Sequence, residues 1–346
     1  MQSRQIEQGA LSFEQFDRAY GAPIAQAVLK ATPQDFVVEE QLGFELSDEG
    51  EHLWLWIEKV GQNTDWLVKQ LAKSLPLSPA AIGYAGKKDR KAVTRQWLSV
   101  QLPVSKEPEL MARLRSLPGI QCLKHQRHAK KCHIGDHQAN HFQLRLQFPR
   151  AVSSEAKVQL EQRLQQIAEK GFPNYFGEQR FGHQMQNLLK GEQWLQNPRR
   201  KVPRHLKGLY LSALRSALFN TVLSQRVHLH NWQTPLAGEV FSEADPHPNS
   251  ALALTGPLPG DGALGSQEAV LAIEEQAIEP FASWWNGLKQ ARLRPERRAL
   301  TCLPQALQWQ WASEKIVTLD FTLPKGSYAT MLVREWVQTV APPFST

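Results

Sequence analysis

The sequence predicts an α+β protein in which a core of strands and helices is split by a mostly helical insertion. Strand-like runs alternate with helical segments over the first half of the chain. Beyond Gly171 the sequence becomes mainly helical, with long loops between the helices. Strand character returns at Ile316–Phe321, and a last helix is predicted over Tyr328–Val337. We therefore expect the C-terminal strand and helix to rejoin the core formed by the first half.

Alternation of large apolar residues indicates the strands, and apolar residues at helical spacing indicate the helices. The predicted strands are Phe36–Glu40, Leu53–Glu58, Ala81–Ala85, Trp97–Leu102, Ile120–Leu123 and His141–Phe148. The predicted helices are Thr64–Leu75, with Thr64 as N-cap, Glu107–Leu117, Ser154–Lys170, Asn187–Trp194 and Gly208–Val227. A Pro/Gly-rich loop is expected around Thr255–Gly262.

Length and composition narrow the class of protein. A chain of 346 residues exceeds one comfortable hydrophobic core, which suggests about two domains. The net charge of +7 favours a polyanionic partner, although a mildly basic soluble protein is the simpler alternative. No apolar run has the length of a membrane span, and three cysteines argue against a disulfide framework. We therefore expect a cytoplasmic protein that does not enter a membrane.

The most informative segment is the loop predicted between the strands at 81–85 and 97–102. Asp89 is an acidic residue among Lys87, Lys88, Arg90 and Lys91. A patch that only binds phosphate would be better without a carboxylate, whereas neighbouring cations favour its ionised form. An ionised carboxylate beside phosphate-attracting groups suits an enzyme that acts on a nucleic acid. A structural ion pair that orders the loop is the alternative.

Two nucleotide-binding motifs are excluded by their spacing. Gly83 and Gly86 precede a lysine, but they lack the four intervening residues and the Ser or Thr of a Walker loop. The glycines around Gly260 do not follow a strand in the dinucleotide pattern. We therefore predict no nucleotide cofactor.

A group of Cys and His residues between 122 and 137 lacks the spacing typical of a metal site. The candidate ligands are Cys122, His125, His128, Cys132, His133 and His137. Zinc ligands usually come in short paired spacings, whereas these residues run through a basic, strand-like stretch. The preferred interpretation is a surface for backbone phosphates formed by Lys124, Arg127, His128, Lys130 and Lys131.

Two further basic runs favour a large polyanion over a small one. The first comprises Arg199, Arg200, Lys201, Arg204 and Lys207, and the second comprises Arg292, Arg294, Arg297 and Arg298. Runs of charge are usually solvated surface, and the sequence alone does not place these runs on one face.

Six motifs, in this order, make the chain resemble the TruD family of tRNA pseudouridine synthases over most of its length. They are Lys30–Glu40, Gly83–Gln96 with its Ala-Gly-Lys-Lys-Asp core, Asn140–Phe142, Asn174–Gly182, Leu211–Asn220 and Leu323–Glu335. Several long motifs in sequence are far more specific than any one of them. Ala139 departs from the glycine expected before Asn140, and Tyr328 stands where a phenylalanine is common.

The resemblance implies a pseudouridine synthase core with a mixed, mainly antiparallel sheet and flanking helices. A mostly helical domain peculiar to the family would be inserted at 166–314, so that 1–165 and 315–346 form the core. The implied reaction is isomerisation of uridine to pseudouridine at position 13 of tRNA. No cofactor and no metal are implied, and we expect a monomer whose partner is tRNA.

The resemblance also carries roles to particular residues. Asp89 matches the catalytic aspartate, and Lys30 is the candidate for its basic partner. Phe36 and Tyr328 match aromatic residues that contact the target base, and Asn140 matches a polar substrate contact.

The sequence allows two roles for Asp89 and more than one class of protein. Asp89 could attack a carbon of the substrate as a nucleophile or accept a proton from the sugar as a base. The alternatives to an isomerase are a non-catalytic RNA-binding module and a metal-dependent nuclease. The nuclease is disfavoured because such sites normally cluster several carboxylates, and this loop has one.

Overall fold

A computed structural model describes residues 13–74, 78–242 and 253–342. The chain divides into two compact units, each assembled from three stretches of sequence. The sheet unit contains the described parts of Ile24–Glu161, Pro304–Gly326 and Val337–Thr346. The helical unit contains the described parts of Met1–Pro23, Gln162–Leu303 and Ser327–Trp336.

The described residues form fifteen strands and eight α-helices. The strands are β1 Gln26–Leu29, β2 Phe36–Leu42, β3 His52–Val60, β4 Ile82–Tyr84, β5 Val93–Gln101, β6 Ile120–His128, β7 His137–Gln147, β8 Phe172–Pro173, β9 Phe241–Ser242, β10 Ala253–Leu258, β11 Glu296–Ala299, β12 Thr301–Cys302, β13 Gln305–Ser313, β14 Ile316–Pro324 and β15 Gln338–Val340. The helices are α1 Thr64–Ser74, α2 Glu107–Arg115, α3 Ser154–Lys170, α4 Gln186–Gln196, α5 Arg204–His228, α6 Glu268–Ile278, α7 Ala282–Gln290 and α8 Ala329–Trp336.

One sheet of ten strands organises the sheet unit. Seven strands follow the order β13-β14-β7-β2-β5-β3-β6, with β1 added to β7 and β15, and β4 added to β5. The β2–β5 and β1–β15 pairs are parallel, and the other pairs in this sheet are antiparallel. The α+β class and the mixed, mainly antiparallel sheet are therefore confirmed.

Helices α1 and α2 pack on one face of this sheet. Leu67 and Leu71 of α1 and Leu110 and Leu114 of α2 are almost completely buried, in one cluster with apolar side chains of β3 and β5. Burial of apolar side chains contributes most of the stability of such a layer. This layer packs against strands β3 and β5, and the loop that carries Asp89 leads into β5.

The neighbour of β5 changes along its length. Val93, Thr94 and Arg95 pair with β2, whereas Leu98, Ser99 and Val100 pair with β4. At the change-over the backbone N–H of Trp97 donates to the Glu40 carboxylate at 3.0 Å. A buried side chain thus completes a ladder that neither strand completes, as a buried backbone donor requires.

The helical unit is built around α5, whose interior side chains are mostly buried. It also contains a three-stranded sheet, β11-β10-β9, and the two-stranded pair β12-β8. Asn220 of α5 makes two hydrogen bonds with the backbone of Phe176. Its Oδ1 accepts from the N–H at 2.8 Å, and its Nδ2 donates to the carbonyl oxygen at 3.0 Å. The motif Asn174–Gly182 is therefore fixed to the central helix of this unit.

Several predicted elements are corrected by the structure. Thr255–Leu258 belongs to strand β10 and not to a loop, although the segment contains Gly256 and Pro257 and is followed by Pro259. Strand β13 was not predicted, because its four Gln and Ser residues obscured the alternation of Leu307, Trp309 and Trp311. Strands β6 and β7 are longer than predicted, since polar residues continue the pairing beyond the apolar run.

The predicted domain limits of 1–165, 166–314 and 315–346 remain a prediction about the family's domains. The compact units have different limits. Residues 304–314 lie in the sheet unit with β13, and α8 lies in the helical unit instead of rejoining the sheet. Among the described residues, no helix combines the length and apolarity that crossing a membrane requires.

Candidate active site

Asp89 lies in the loop between β4 and β5, and its carboxylate is paired with Lys30. The Lys30 Nζ to Asp89 Oδ2 distance is 2.7 Å. Lys30 directly follows β1 and has a φ of 62°, a left-handed conformation that is rare for a lysine. Its ammonium also lies over the Phe36 ring, 3.9 Å from the ring centre. Three of the residues predicted for the site therefore meet at this point.

The environment of Asp89 keeps it ionised. Burial alone would raise the pKa of this carboxyl, but the charge and hydrogen bond of Lys30, with backbone donors at Arg90 and Lys91, bring the pKa below its usual value. The side chain remains 43 % exposed, so a substrate can reach the carboxylate. The group can therefore act as a nucleophile or as a base at neutral pH.

A buried ion pair lies beside Asp89. Lys88 Nζ is 3.0 Å from Glu40 Oε1 and donates to Asn140 Oδ1 at 2.5 Å. Burial raises the pKa of Glu40 and lowers that of Lys88, and each partner's charge opposes the shift of the other. Because Glu40 on β2 is opposite Asn140 on β7, the lysine reaches both from the loop.

Lys59 binds the backbone of the loop that carries Asp89. Its side chain is fully buried, and its ammonium donates to the backbone oxygen of Gln62 at 2.8 Å and to those of Lys88 and Asp89 at 3.4 Å each. Burial lowers the pKa of Lys59 to about 8, although the nearby Asp89 carboxylate opposes this shift. The two peptide units around Asp89 are thus held by one cation.

The turn after β3 fastens the same loop. Thr64 was predicted to be the N-cap of α1, but the helix begins at Thr64 and Asn63 caps it, with its Oδ1 accepting from the N–H of Trp66 at 2.8 Å. The Thr64 hydroxyl instead accepts from the backbone N–H of Lys88 at 3.0 Å. Arg90 adds a bond from its Nε to the oxygen of Gly61 at 3.0 Å.

The predicted aromatic residues occupy different environments. Phe36 is 5 % exposed and makes an edge contact with Phe142, 6.1 Å between ring centres. Tyr328 belongs to the helical unit, where its ring contacts Phe176 at 6.1 Å. Burial raises the pKa of Tyr328, and the cations of Arg180 and Arg298 oppose that rise. The roles of Asp89, Lys30, Phe36, Asn140 and Tyr328 remain predictions.

Lys59 was not predicted from the sequence, and neither Lys88 nor Glu40 was given an individual role. Lys59 directly follows the strand predicted over Leu53–Glu58, and nothing local indicates that its side chain turns inward. Glu40 carried a signal, because a charged residue on the inward-facing positions of an apolar strand requires a buried partner. Lys88 was grouped with surface cations, whereas its side chain is 8 % exposed.

No group of three or more His, Cys, Asp or Glu side chains in the described residues is arranged to hold a metal ion. Cys122, Cys132 and Cys302 form no disulfide in the described part of the chain. His137 is buried, and burial together with Lys88 and Lys325 lowers its pKa to about 4, so it is neutral at physiological pH.

The basic runs differ in how much charge they leave free. Arg297 is bound to Glu274 at 2.6 Å, and Arg298 to Asn174 at 2.5 Å, so these two arginines have structural partners. Arg127 is paired with Glu107. By contrast Arg199, Arg200, Lys201 and Arg204 are exposed around the start of α5.

The chain is similar to known proteins over most of its length. The family model described as tRNA pseudouridine synthase D (TruD) matches residues 18–197 and 183–336. A tRNA pseudouridine synthase D of Hydrogenovibrio crunogenus is 43 % identical over 340 residues, covering 94 % of this chain and 96 % of the relative. One from Cellvibrio japonicus is 41 % identical over 323 residues, covering 93 % and 92 %.

A solved structure of a TruD protein from Methanosarcina mazei shares the fold. It has a TM-score of 0.69 and 19 % identity, covering 97 % of this chain and 98 % of that one. The fold and the family matches together define an RNA pseudouridine synthase. The chain belongs to the tRNA pseudouridine synthase D family, whose reaction is the isomerisation of uridine to pseudouridine in tRNA.

Proposed function

We propose that this enzyme converts uridine 13 of tRNA to pseudouridine, with Asp89 as the catalytic carboxylate. The observation that carries the proposal is the contact of 2.7 Å between Lys30 and Asp89, at a carboxylate that stays ionised and open to solvent. Position 13 rests on the family resemblance of the sequence motifs.

The reaction needs little beyond a well-placed carboxylate. The bond from C1′ to N1 of uridine breaks, the uracil turns, and C1′ bonds to C5. N1 ends with a proton and C5 loses one, so nothing is oxidised and no co-reactant is consumed. Asp89 either attacks a substrate carbon or accepts a sugar proton, and both roles require the ionised form.

The other predicted residues serve binding of the extruded base. The target uridine must leave its base stack to reach the Asp89 carboxylate. Aromatic rings then replace part of the lost stacking. We assign that role to Phe36 and Tyr328, and we assign a hydrogen bond with the base to Asn140. Lys30 keeps Asp89 ionised and oriented.

The inserted domain at 166–314 is proposed to bind the tRNA backbone. Its exposed cations at Arg199, Arg200, Lys201 and Arg204 support this role, because neutralising phosphates supplies sequence-independent affinity. We further propose that the enzyme acts as a monomer in the cytoplasm without a metal ion. Three cysteines that form no disulfide in the described residues are consistent with a reducing compartment.

The test is pseudouridine mapping at nucleotide resolution on tRNA incubated with purified protein. We expect one new pseudouridine at position 13, formed equally well in EDTA, and none when position 13 is cytidine. Asp89→Asn should still bind tRNA but form no product. Modification elsewhere overturns the position, and product from Asp89→Asn overturns the catalytic assignment. A strict metal requirement would favour a metal site at the Cys and His residues of 122–137.

A further inference from the structure

Lys88 and Asn140 form a contact whose chemistry limits how the amide can face a substrate. We propose that Lys88 fixes the orientation of the Asn140 amide so that its N–H donors meet a carbonyl oxygen of the target uracil. Lys88 is then a positioning residue that determines base specificity. The inference deepens the proposed function, because it assumes that Asn140 contacts the base.

The position of Lys88 is determined from two sides. Its backbone N–H is bound by the Thr64 hydroxyl at 3.0 Å, and its ammonium lies 3.0 Å from the buried Glu40 carboxylate. Glu40 is in turn fixed by the N–H of Trp97 at 3.0 Å. The ammonium therefore has little freedom to leave the place where it meets Asn140.

The chemistry of the ammonium sets the amide's orientation. An ammonium group has three donors and no acceptor, so the Asn140 atom 2.5 Å away must be the oxygen. The usual ambiguity between the oxygen and nitrogen of an asparagine amide is thereby resolved. Rotating the amide by half a turn would place N–H donors against a cation, which is repulsive.

The amide nitrogen is left for another partner. Within the described part of the chain, no hydrogen bond is made by Asn140 Nδ2, although the residue is only 8 % exposed. A fixed pair of donors matches the carbonyl acceptors of uracil. Cytosine shares O2 with uracil but has an amino donor in place of O4, so an amide N–H that meets O4 disfavours cytosine.

Atom-level substitution in the substrate tests this arrangement. We would prepare the same tRNA with uridine, 2-thiouridine or 4-thiouridine at the target position and measure kcat/KM for pseudouridine formation. Sulfur is a weaker acceptor than oxygen. For the wild-type enzyme we expect one of the two thio substitutions to lower kcat/KM by roughly five- to twentyfold, the loss of one hydrogen bond.

The variants ask whether Lys88 is needed for that discrimination. In Lys88→Met, kcat/KM for uridine should fall and the thio penalty should shrink to within about twofold, because coupled groups do not act additively. Lys87→Met is the matched control, since Lys87 is bound to Asp65 on the surface at 2.8 Å. It should keep the full thio penalty.

A second variant is needed in case Lys88→Met does not fold, because that substitution leaves Glu40 buried without its partner. Lys88→Met with Glu40→Gln removes both charges and should show the same reduced penalty. A penalty that is unchanged in either folded variant overturns the inference, as does the absence of any thio penalty in the wild type. If the wild type forms no pseudouridine from ordinary uridine, the proposed function fails instead.

Discussion

The ammonium of Lys59 lies 3.4 Å from the backbone oxygen of Asp89, so the residue proposed for catalysis rests on a fully buried cation. The same ammonium contacts the backbone oxygen of Lys88. Lys30 binds the Asp89 carboxylate on its other side. Asp89 is therefore held through its main chain and its side chain by two different lysines.

Deprotonation of Lys59 should affect stability and activity in opposite directions. Its pKa is about 8 when folded, against 10.5 for an ordinary lysine, because burial and the Lys88 charge outweigh the opposing charges of Asp89 and Glu40. Between these values the unfolded chain keeps the proton and the folded chain does not. The free energy of unfolding should therefore rise by about 1.4 kcal/mol per pH unit above pH 8 from this group.

Activity should instead fall as the pH passes about 8, because a neutral amine holds the Asp89 peptide less firmly. Chemical denaturation and initial rates at pH 7.5 and 9.5 would measure both effects. Lys59→Met should lose both pH effects and be roughly ten- to hundredfold slower at pH 7.5. A parallel fall of stability and activity in the wild type would contradict this account.

Removal of the Lys30 charge should move the acid limb of the pH–rate profile. The pKa of Asp89 is held below its usual value by Lys30, so activity is constant above that pKa and is lost as the pH falls through it. Lys30→Met should shift the acid limb to higher pH and lower the plateau. Lys91→Met, an exposed charge in the same loop, is the control and should leave the limb in place.

Substitution of the aromatic residues should lower turnover more than affinity for tRNA. Most affinity is expected from phosphate contacts, whereas Phe36 and Tyr328 are assigned to the extruded base. Tyr328→Ala should reduce kcat at least tenfold, by roughly the stacking energy of one base, and Tyr328→Phe should be mild. Phe36→Ala also creates a core cavity, so its stability must be measured alongside. Equal losses of kcat and affinity would argue against this division.

The exposed basic run before and within α5 should control the salt dependence of binding. Changing Arg199, Arg200, Lys201 and Arg204 to Gln should weaken tRNA binding and lower the slope of log affinity against log salt by up to about 3. Titrations at several salt concentrations would measure this slope. Lys69→Gln with Lys73→Gln, on the exposed side of α1, controls for charge loss alone. An unchanged slope would show that the run does not meet phosphate.

The sequence predicted those parts of the fold that depend on local periodicity. Helix α3 over Ser154–Lys170 was predicted with both ends correct, because an apolar stripe and Gly171 mark it. Strand β13 was not predicted, because it is defined by its pairing with β14. The two strands are close in sequence, but the pairing is visible only in the folded sheet. Strand β10 was missed for a similar reason, since pairing with β11 outweighs its Pro and Gly content.

The candidate site shows the same limit. The loop of Asp89 was recognised from its unusual charge pattern, and its pairing with Lys30 was expected from the resemblance and is present. Lys59, Thr64 and Glu40 act through contacts between segments far apart in sequence. Whether a lysine points to solvent or supports a backbone carbonyl is decided by tertiary packing, which one sequence does not report.

The interleaving of the two compact units has a consequence for biosynthesis. Strand β1 pairs in parallel with β15, and α8 belongs to the unit that contains Asp17 and α5. Neither unit can therefore close while its last segment is still unsynthesised, and the long-range pairing must await loop closure over most of the chain. A nascent chain should expose apolar surface until the α8 and β15 segments have been synthesised, which makes this enzyme a candidate client of ribosome-associated chaperones.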